Sequence, residues 1–133
     1  MAYRFRRNGT KYNASKCIVD GITFDSRKEA NRYLELKLLE RGGLIKDLEL
    51  QKDFELLPNQ YAPDEIKMLK NGKEKIVKGK LLERRVIYRA DFAYIDMATN
   101  EQVVEDVKGI KLPEYILKRK MLLYFHGIKL IEI

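Results

Sequence analysis

A valine-rich run late in the chain carries three charged side chains that could do chemistry together. The run is VVEDVKG, residues 103–109, and its charges are Glu105, Asp106 and Lys108. Valine-rich runs of this length predict buried strands, in which alternate residues share a face. We therefore predict that Asp106 and Lys108 point to one side of the strand. Glu105 is predicted to point to the other side, where burial requires an ion-pair partner such as Arg89 or a lysine.

Another acidic residue lies in the strand predicted just before this one. Residues 83–96, ERRVIYRADFAYID, are rich in β-branched and aromatic residues and contain Asp91. A turn at 96–102 would place the two strands side by side, so that Asp91 and Asp106 become neighbours. Two carboxylates this close bind a hard divalent cation such as Mg²⁺. Such a cation polarises a phosphodiester and can generate a hydroxide nucleophile, while a nearby lysine stabilises the developing charge.

An alternative interpretation of Asp106 and Lys108 needs no catalysis. An acid and a lysine two residues apart can form an exposed salt bridge on a sheet face, which is common and contributes little to stability. Against this alternative, Val103, Val104 and Val107 indicate a central, buried strand. The sequence therefore favours a functional role for the pair.

The elements that must position these residues are predicted from turn signals, caps and periodicity. In chain order they are a basic, mobile arm (residues 1–15), a hairpin around Asp20-Gly21 (17–24), a helix from Ser26 to Gly42-Gly43, a strand (52–57), a lysine-rich loop or extended hairpin turning at Asn71-Gly72 (59–82), the two strands above, a helix from Pro113 to Gly127, and a last strand (128–133). Together they predict a mixed α/β domain with a central sheet and helices packed against it.

The first predicted helix offers a further acidic side chain, Glu29. Ser26 is the natural N-cap and Glu29 follows three residues later, so a capping box accounts for Glu29 without catalysis. Glu29 also lies at the edge of the apolar stripe of this helix, and could face the sheet from there. That stripe is predicted to contain Ala30, Tyr33, Leu34 and Leu38.

Length and composition restrict the class of protein. A chain of 133 residues with 45% hydrophobic and 35% charged residues predicts one folded domain over residues 1–133. One cysteine, Cys17, and one histidine, His126, exclude an internal disulfide and metal sites built from cysteine or paired histidines. His126 is expected at a helix C-terminus before Gly127. No apolar run is long enough for a membrane helix, and no signal peptide is visible, so we expect a cytoplasmic protein.

The charge balance points to a polyanionic partner. The formal net charge is +7 and the isoelectric point is about 9.4. A basic balance of this size favours nucleic acid. The candidate DNA contacts are Arg4, Arg6, Arg7, Lys111, Lys118, Arg119 and Lys120.

The stretches ADF and VVEDVKG, in the order helix, three strands, helix, strand, resemble the core of the PD-(D/E)XK nuclease superfamily. More closely, nearly the whole chain outside the lysine-rich insert resembles a small phage and prophage family of predicted endonucleases, similar to Holliday-junction resolvases. The resemblance implies a restriction-endonuclease-like αβββαβ core: a central mixed sheet flanked by helices, here with an N-terminal hairpin.

The resemblance also implies a role for each matching residue. Asp91 stands at the first acid of the motif, although Ala90 replaces the usual proline, and Asp106 and Lys108 stand at the second acid and the lysine. Glu29 corresponds to an acid on the first core helix that serves as a further metal or water ligand. Gln51 matches a glutamine that lies near the active site in some branches.

The resulting expectation is a Mg²⁺-dependent DNA endonuclease, with Mn²⁺ as a substitute, in which Asp91, Asp106 and Glu29 hold the metal. No sequence-reading element is visible, so branched or junction DNA in phage recombination, replication or packaging is the expected substrate, with linear duplex as an alternative. The host cytoplasm is the expected compartment, and a homodimer would supply two active sites. Two other functions stay open: a non-catalytic nucleic-acid-binding module on a nuclease fold, and a basic RNA- or ribosome-associated protein.

Overall fold

The computed structural model describes the backbone of residues 4–6 and all of residues 16–133. Most of the predicted basic arm lies outside the described residues, but Arg4–Arg6 form a strand that pairs with the hairpin. The strands are β1 (Arg4–Arg6), β2 (Lys16–Val19), β3 (Ile22–Phe24), β4 (Ile45–Leu57), β5 (Gln60–Tyr61), β6 (Glu65–Met68), β7 (Glu74–Val77), β8 (Leu81–Glu83), β9 (Val86–Asp96), β10 (Gln102–Asp106) and β11 (Ile131–Glu132). The helices are α1 (Arg27–Arg41) and α2 (Pro113–His126).

The N-terminal hairpin and the start of α1 confirm the local signals in the sequence. β2 and β3 pair in antiparallel fashion across Asp20 and Gly21, whose φ angles are 51° and 75°. Positive φ at both positions is what the tight two-residue turn requires, and Asp-Gly supplies it. Ser26 caps α1, since its hydroxyl accepts a hydrogen bond of 3.1 Å from the Glu29 backbone N–H.

The buried face of α1 differs from the predicted stripe. Ala30 and Tyr33 are buried as expected, but Leu38 is 66% exposed and Leu36 is fully buried. The buried positions of the helix are Glu29 and, at three-residue intervals, Ala30, Tyr33 and Leu36. The helix is therefore rotated toward Glu29, and the prediction for Leu38 was wrong because wheel geometry alone does not fix this rotation.

A four-stranded mixed sheet forms the centre of the fold. Its strand order is β11-β10-β9-β4; β4, β9 and β10 are antiparallel neighbours, while β11 lies parallel to β10. The fold is therefore α/β, with a mixed central sheet and two helices in the part of the chain that the structure describes. The chain order α1, β4, β9, β10, α2, β11 is the predicted one, although β4 is much longer than the strand expected at 52–57.

The two faces of this sheet carry separate hydrophobic clusters. The first joins the hairpin and α1 to residues such as Phe92 and Tyr94. The second joins α2 to residues such as Ala93 and Val104. Because Phe92 and Ala93 are adjacent in β9 but belong to different clusters, α1 and α2 cover opposite faces of the sheet.

Both long strands change the face to which their even-numbered residues point. In β4, Leu50 packs with the first cluster and Phe54 with the second; in β9, Phe92 packs with the first and Ala90 with the second. Gln51 lies at this change and has a φ of 52°, in the left-handed region. The sheet therefore switches faces at residues 51 and 91.

The remaining strands confirm that the lysine-rich insert is an extended hairpin and not a loop. β5 pairs with β8 at its base, and β6 pairs with β7 at its tip, both antiparallel. At the other end of the chain, α2 begins at Pro113 and ends at His126, as predicted, with Gly127 at a φ of 66°. The His126 ring contacts the backbone carbonyl of Glu55. No helix in the described part of the chain is long and apolar enough to cross a membrane.

Candidate active site

Asp91 and Asp106 lie beside each other on the paired strands β9 and β10. The register pairs Glu105 with Phe92, so the next position places Asp106 opposite Asp91. The backbone N–H of Val107 donates a 2.9 Å hydrogen bond to Oδ2 of Asp91. Asp106 is only 2% exposed. The structure thus brings together the two acids that were predicted as neighbours from the turn at 96–102.

Two donors share one oxygen of Asp106. The ammonium of Lys108 lies 3.0 Å from Oδ2, and the hydroxyl of Tyr88 donates a hydrogen bond to the same atom. β10 ends at Asp106, so Lys108 lies just beyond the strand, where its ammonium also stands 4.3 Å from the centre of the Tyr115 ring. The Tyr115 ring and the Asp106 carboxylate hold the ammonium of Lys108 in place from two sides.

Glu29 reaches the same region from α1, through Gln51. The Gln51 side-chain amide donates to Oδ1 of Asp91 at 3.1 Å and to Oε1 of Glu29 at 3.3 Å. Glu29 is buried, although it lies in the first turn of α1. Ser26 makes its half of the capping box, but the Glu29 side chain is turned toward Gln51. Capping therefore does not account for the position of this carboxylate.

Burial and neighbouring negative charge raise the pKa of Asp91 and of Glu29. Burial, followed by the contact with Asp106, raises the pKa of Asp91 to about 8. Burial, then the charges of Asp25 and Asp106, raise the pKa of Glu29. Near neutral pH the Asp91 carboxyl therefore holds a proton for much of the time. A bound cation would offset the same negative charge that this proton offsets.

The donor set suits a hard divalent cation at the two aspartates. Carboxylate oxygens are the ligands that Mg²⁺ prefers, and no soft or nitrogen ligand is present among these side chains. Within residues 16–133, no group of three or more His, Cys, Asp or Glu side chains is arranged to hold a metal ion. The structure thus joins Asp91 and Asp106 directly, while Glu29 is connected to them through the Gln51 amide.

Glu105 points away from this site, as predicted, but its partner was predicted incorrectly. It is 1% exposed and pairs with Arg32 of α1, whose Nε and Nη2 lie 2.8 and 2.7 Å from Oε1. Arg89, the partner named from sequence, instead forms an exposed pair with Asp53 on the neighbouring strand β4, at 2.7 Å. The helix packs on the Glu105 face of β10, so α1 supplies the cation that the neighbouring strand does not.

Several predicted DNA contacts are already paired within the protein. Lys111 and Arg119 each lie 2.7 Å from a carboxylate oxygen of Glu132, and Lys118 lies 3.2 Å from Glu114. Lys120 is exposed. The side chains of Arg4, Arg6 and Arg7 lie outside the described residues. The basic character near α2 is therefore partly neutralised by Glu132 and Glu114.

Three residues of the site's surroundings were missed from the sequence: Tyr88, Tyr115 and Arg32. Tyr88 and Tyr115 belong to the cluster beneath α2, and only the tertiary packing brings them to Asp106 and Lys108. A signal existed for Arg32, which follows Glu29 by three residues and so lies on the same side of α1. Burial and contact with Asp106 raise the pKa of Tyr88, so its hydroxyl remains a donor.

Comparison with known proteins gives a family but no activity. A family model described as "Protein of unknown function (DUF1064)" matches residues 9–132. The chain belongs to this family. The DUF1064 match includes Glu29, Gln51, Asp91, Asp106 and Lys108, together with the whole extended hairpin. No curated protein and no solved structure matches the chain.

Proposed function

We propose that this DUF1064 protein is a Mg²⁺-dependent DNA endonuclease with a restriction-endonuclease-like αβββαβ core. The observation that carries the proposal is the convergence of Asp91 and Lys108 on the buried Asp106, with Glu29 linked through Gln51. The sequence resemblance to the PD-(D/E)XK superfamily names these same residues. The order α1, β4, β9, β10, α2, β11 is compatible with that core.

Each residue has a definite task in this proposal. Asp91 and Asp106 would hold the cation, with Mn²⁺ able to replace Mg²⁺, and the cation supplies polarisation of the phosphodiester. Lys108 places a positive charge beside Asp106, where it can orient water or stabilise developing charge. Tyr88 and the Val107 N–H fix the two aspartates by donating to one oxygen of each. Glu29 and Gln51 border the site and can orient water.

Branched or junction DNA is the proposed substrate, in keeping with the phage-type resemblance. Two cuts on one junction require two active sites, so we propose a homodimer on the substrate. The basic net charge of +7 supplies attraction to the DNA backbone.

A non-catalytic nucleic-acid-binding module is the second candidate. It is favoured by one observation, the lack of a preassembled three-residue metal cluster within residues 16–133. It predicts binding that Mg²⁺ does not change. It leaves unexplained why Asp91 stands beside the buried Asp106, where its pKa is raised.

The deciding experiment incubates the purified protein with four-way junction, nicked and linear DNA, in Mg²⁺ and in EDTA. We expect cleavage only with Mg²⁺, and a loss of at least about a hundredfold for Asp106→Asn. Lys108→Met should lose activity as well. The matched control is Asp47→Asn, which makes the same change at an exposed position of β4 and should cut normally.

Two results would contradict the proposal. One is that the wild-type protein leaves every substrate intact in Mg²⁺ and Mn²⁺. The other is that Asp106→Asn and the wild-type protein cut at equal rates, which would indicate a contaminating nuclease.

A further inference from the structure

The extended hairpin formed by β5, β6, β7 and β8, which we call the ribbon, stands away from both hydrophobic clusters. From residue 59 to residue 85, every residue is exposed except Ala62, Val77 and Gly79, which are partly buried. Several large apolar side chains are among the exposed ones, including Ile66 and Ile76, each at 68%. A two-stranded hairpin without a third strand is only marginally stable in water. Contacts other than the pairing of its strands must therefore hold the ribbon in shape.

Specific contacts fix the shape of the ribbon. At its bend, a side chain on Gly79 would place a Cβ 1.7 Å from the carbonyl oxygen of Ala62, so only glycine fits. The Gly79 N–H donates to Asp64 at 2.8 Å, and the Ala62 N–H donates to the Lys80 carbonyl at 2.8 Å. Because of these hydrogen bonds, the ribbon has a defined structure and is not an irregular surface loop.

The two faces of the ribbon tip have different chemistry. The register places Lys67 directly opposite Lys75 on one face, and Ile66 directly opposite Ile76 on the other. Like charges in directly opposite positions destabilise a strand pair. Within the described part of the chain, no ion pair is made by the lysines of the ribbon: Lys67, Lys70, Lys73, Lys75, Lys78 and Lys80. A polyanion would remove the repulsion that the protein itself leaves in place.

We propose that the ribbon binds DNA whose bases are partly unstacked, with Lys67 and Lys75 on backbone phosphates and Ile66 and Ile76 on exposed base faces. A two-stranded ribbon has the width that a DNA groove accepts, and apolar side chains can insert between bases that a branch or kink has opened. This inference rests on the proposed function and assigns to the ribbon the recognition of its branched substrate.

The position of the ribbon suits such a role. It leaves the sheet at the end of β4 and returns at the start of β9. Asp91 lies five residues into β9 after Val86, which corresponds to roughly 17 Å along a strand. The base of the ribbon therefore lies near the carboxylates, and a duplex that runs from the ribbon tip toward β9 would reach them.

The first test measures binding in EDTA, so that it does not depend on cleavage. A synthetic four-way junction and a linear duplex are titrated with wild-type protein, with Lys67→Gln/Lys75→Gln, and with Lys16→Gln/Lys46→Gln over a series of salt concentrations. The last pair removes the same charge from exposed strand positions outside the ribbon. We expect the ribbon pair to make the negative slope of log binding constant against log salt concentration less steep, by about 2, on both DNAs. The control pair should leave this slope unchanged.

The second test concerns the apolar face. Ile66→Thr/Ile76→Thr keeps β-branched residues in both strands. We expect it to reduce the preference for the junction over the duplex by about tenfold, which is within the range of a lost base contact, while the salt slope stays as in the wild type.

The outcomes separate the ribbon from the catalytic proposal. Ribbon variants that bind both DNAs as the wild type does would overturn the inference, even if the wild type cuts DNA normally. Equal losses for the ribbon and control lysine pairs would overturn it too, as would an altered oligomeric state of the isoleucine variant with unchanged DNA binding, since a second copy would then cover the apolar face. Binding that follows the expected pattern without any cleavage supports the ribbon and removes only the nuclease.

Discussion

At the scale of single residues, the acids of the site are in conflict, because their like charges repel one another. The pKa values of Asp91 and Glu29 are both raised, in part by the nearby Asp106, and the ammonium of Lys108 lies beside Asp106. A folded protein tolerates this arrangement only with a proton or a cation in the group. The proton makes the conflict measurable through the pH dependence of stability.

The first prediction follows from the pKa of Asp91, which is about 8 in the folded protein against an ordinary value of 3.8. Between these values the folded state binds a proton that the unfolded chain does not. The stabilisation is complete below 3.8 and is lost as the pH rises toward 8, by up to about 1.4 kcal/mol per pH unit. Urea unfolding in EDTA from pH 5 to pH 8 should show this fall in the wild type and a much smaller one in Asp91→Asn, where Glu29 is the remaining acid of the site with a raised pKa.

Asp47→Asn is the control for this measurement, because it makes the same substitution at an exposed site. Acids whose pKa is lowered, such as Asp53 and Glu132, act in the acid range below their ordinary values and so do not interfere. An Asp91→Asn variant with the same slope as the wild type would show that Asp91 is ionised throughout this range.

The second prediction concerns the buried pair of Arg32 and Glu105. Arg32→Met leaves a carboxylate that is 1% exposed without its cation, and should lower the free energy of unfolding by about 3–5 kcal/mol. Arg89→Met breaks the exposed pair with Asp53, which solvent screens, and should change the free energy of unfolding far less. Urea titration of both variants measures the difference.

A double variant separates the charge from the packing in this pair. Arg32→Met combined with Glu105→Met removes both charges and should recover much of the loss. If the double variant is as unstable as Arg32→Met, the loss comes from the packing of the arginine stem and not from the stranded carboxylate.

At the scale of elements, the sequence predicts well whatever depends on neighbours along the chain. The Asp20-Gly21 turn, the Ser26 cap and the alternation that separates Asp106 from Glu105 are all local, and the structure has them. The rotation of α1, the partner of Glu105 and the role of Tyr88 depend on which helix covers which face of the sheet. That information is tertiary, so no periodicity in the sequence contains it.

The face switch of the sheet was also invisible from the sequence, because nothing in the residue pattern of β4 marks Gln51. A non-glycine residue at a φ of 52° costs about 1 kcal/mol or more. Gln51 tolerates this while its amide joins Asp91 to Glu29. The strained residue thus lies where the sheet switches faces, beside the candidate site.

The third prediction tests that strain with paired substitutions. Gln51→Gly and Gln51→Ala both remove the amide, but only glycine adopts the left-handed conformation freely, so Gln51→Gly should be more stable by about 1 kcal/mol. At Glu49, which has no positive φ, the order should reverse, since glycine weakens a regular strand by about 0.5–1 kcal/mol relative to alanine. Denaturant unfolding of the four variants decides it, and the same order at both positions would contradict the strain.

At the scale of the whole molecule, one sheet is shared by two hydrophobic clusters. α1 and the hairpin cover one face, α2 covers the other, and the candidate site lies where the faces exchange. Neither cluster can unfold without exposing the strands that support the other. The core should therefore unfold cooperatively, although the ribbon lies outside both clusters.

The last prediction tests both this shared core and the corrected rotation of α1. Leu36→Ala and Leu122→Ala each empty a fully buried position, one in each cluster, and should each cost about 2–5 kcal/mol. Leu38→Ala, at 66% exposure on the same helix as Leu36, should stay within about 0.5 kcal/mol of the wild type. Thermal and urea unfolding followed by circular dichroism should show one transition in every variant. A cost at Leu38 equal to that at Leu36 would mean that α1 packs with the stripe expected from its wheel, and a second transition in either cavity variant would mean that the two clusters unfold independently despite the sheet between them.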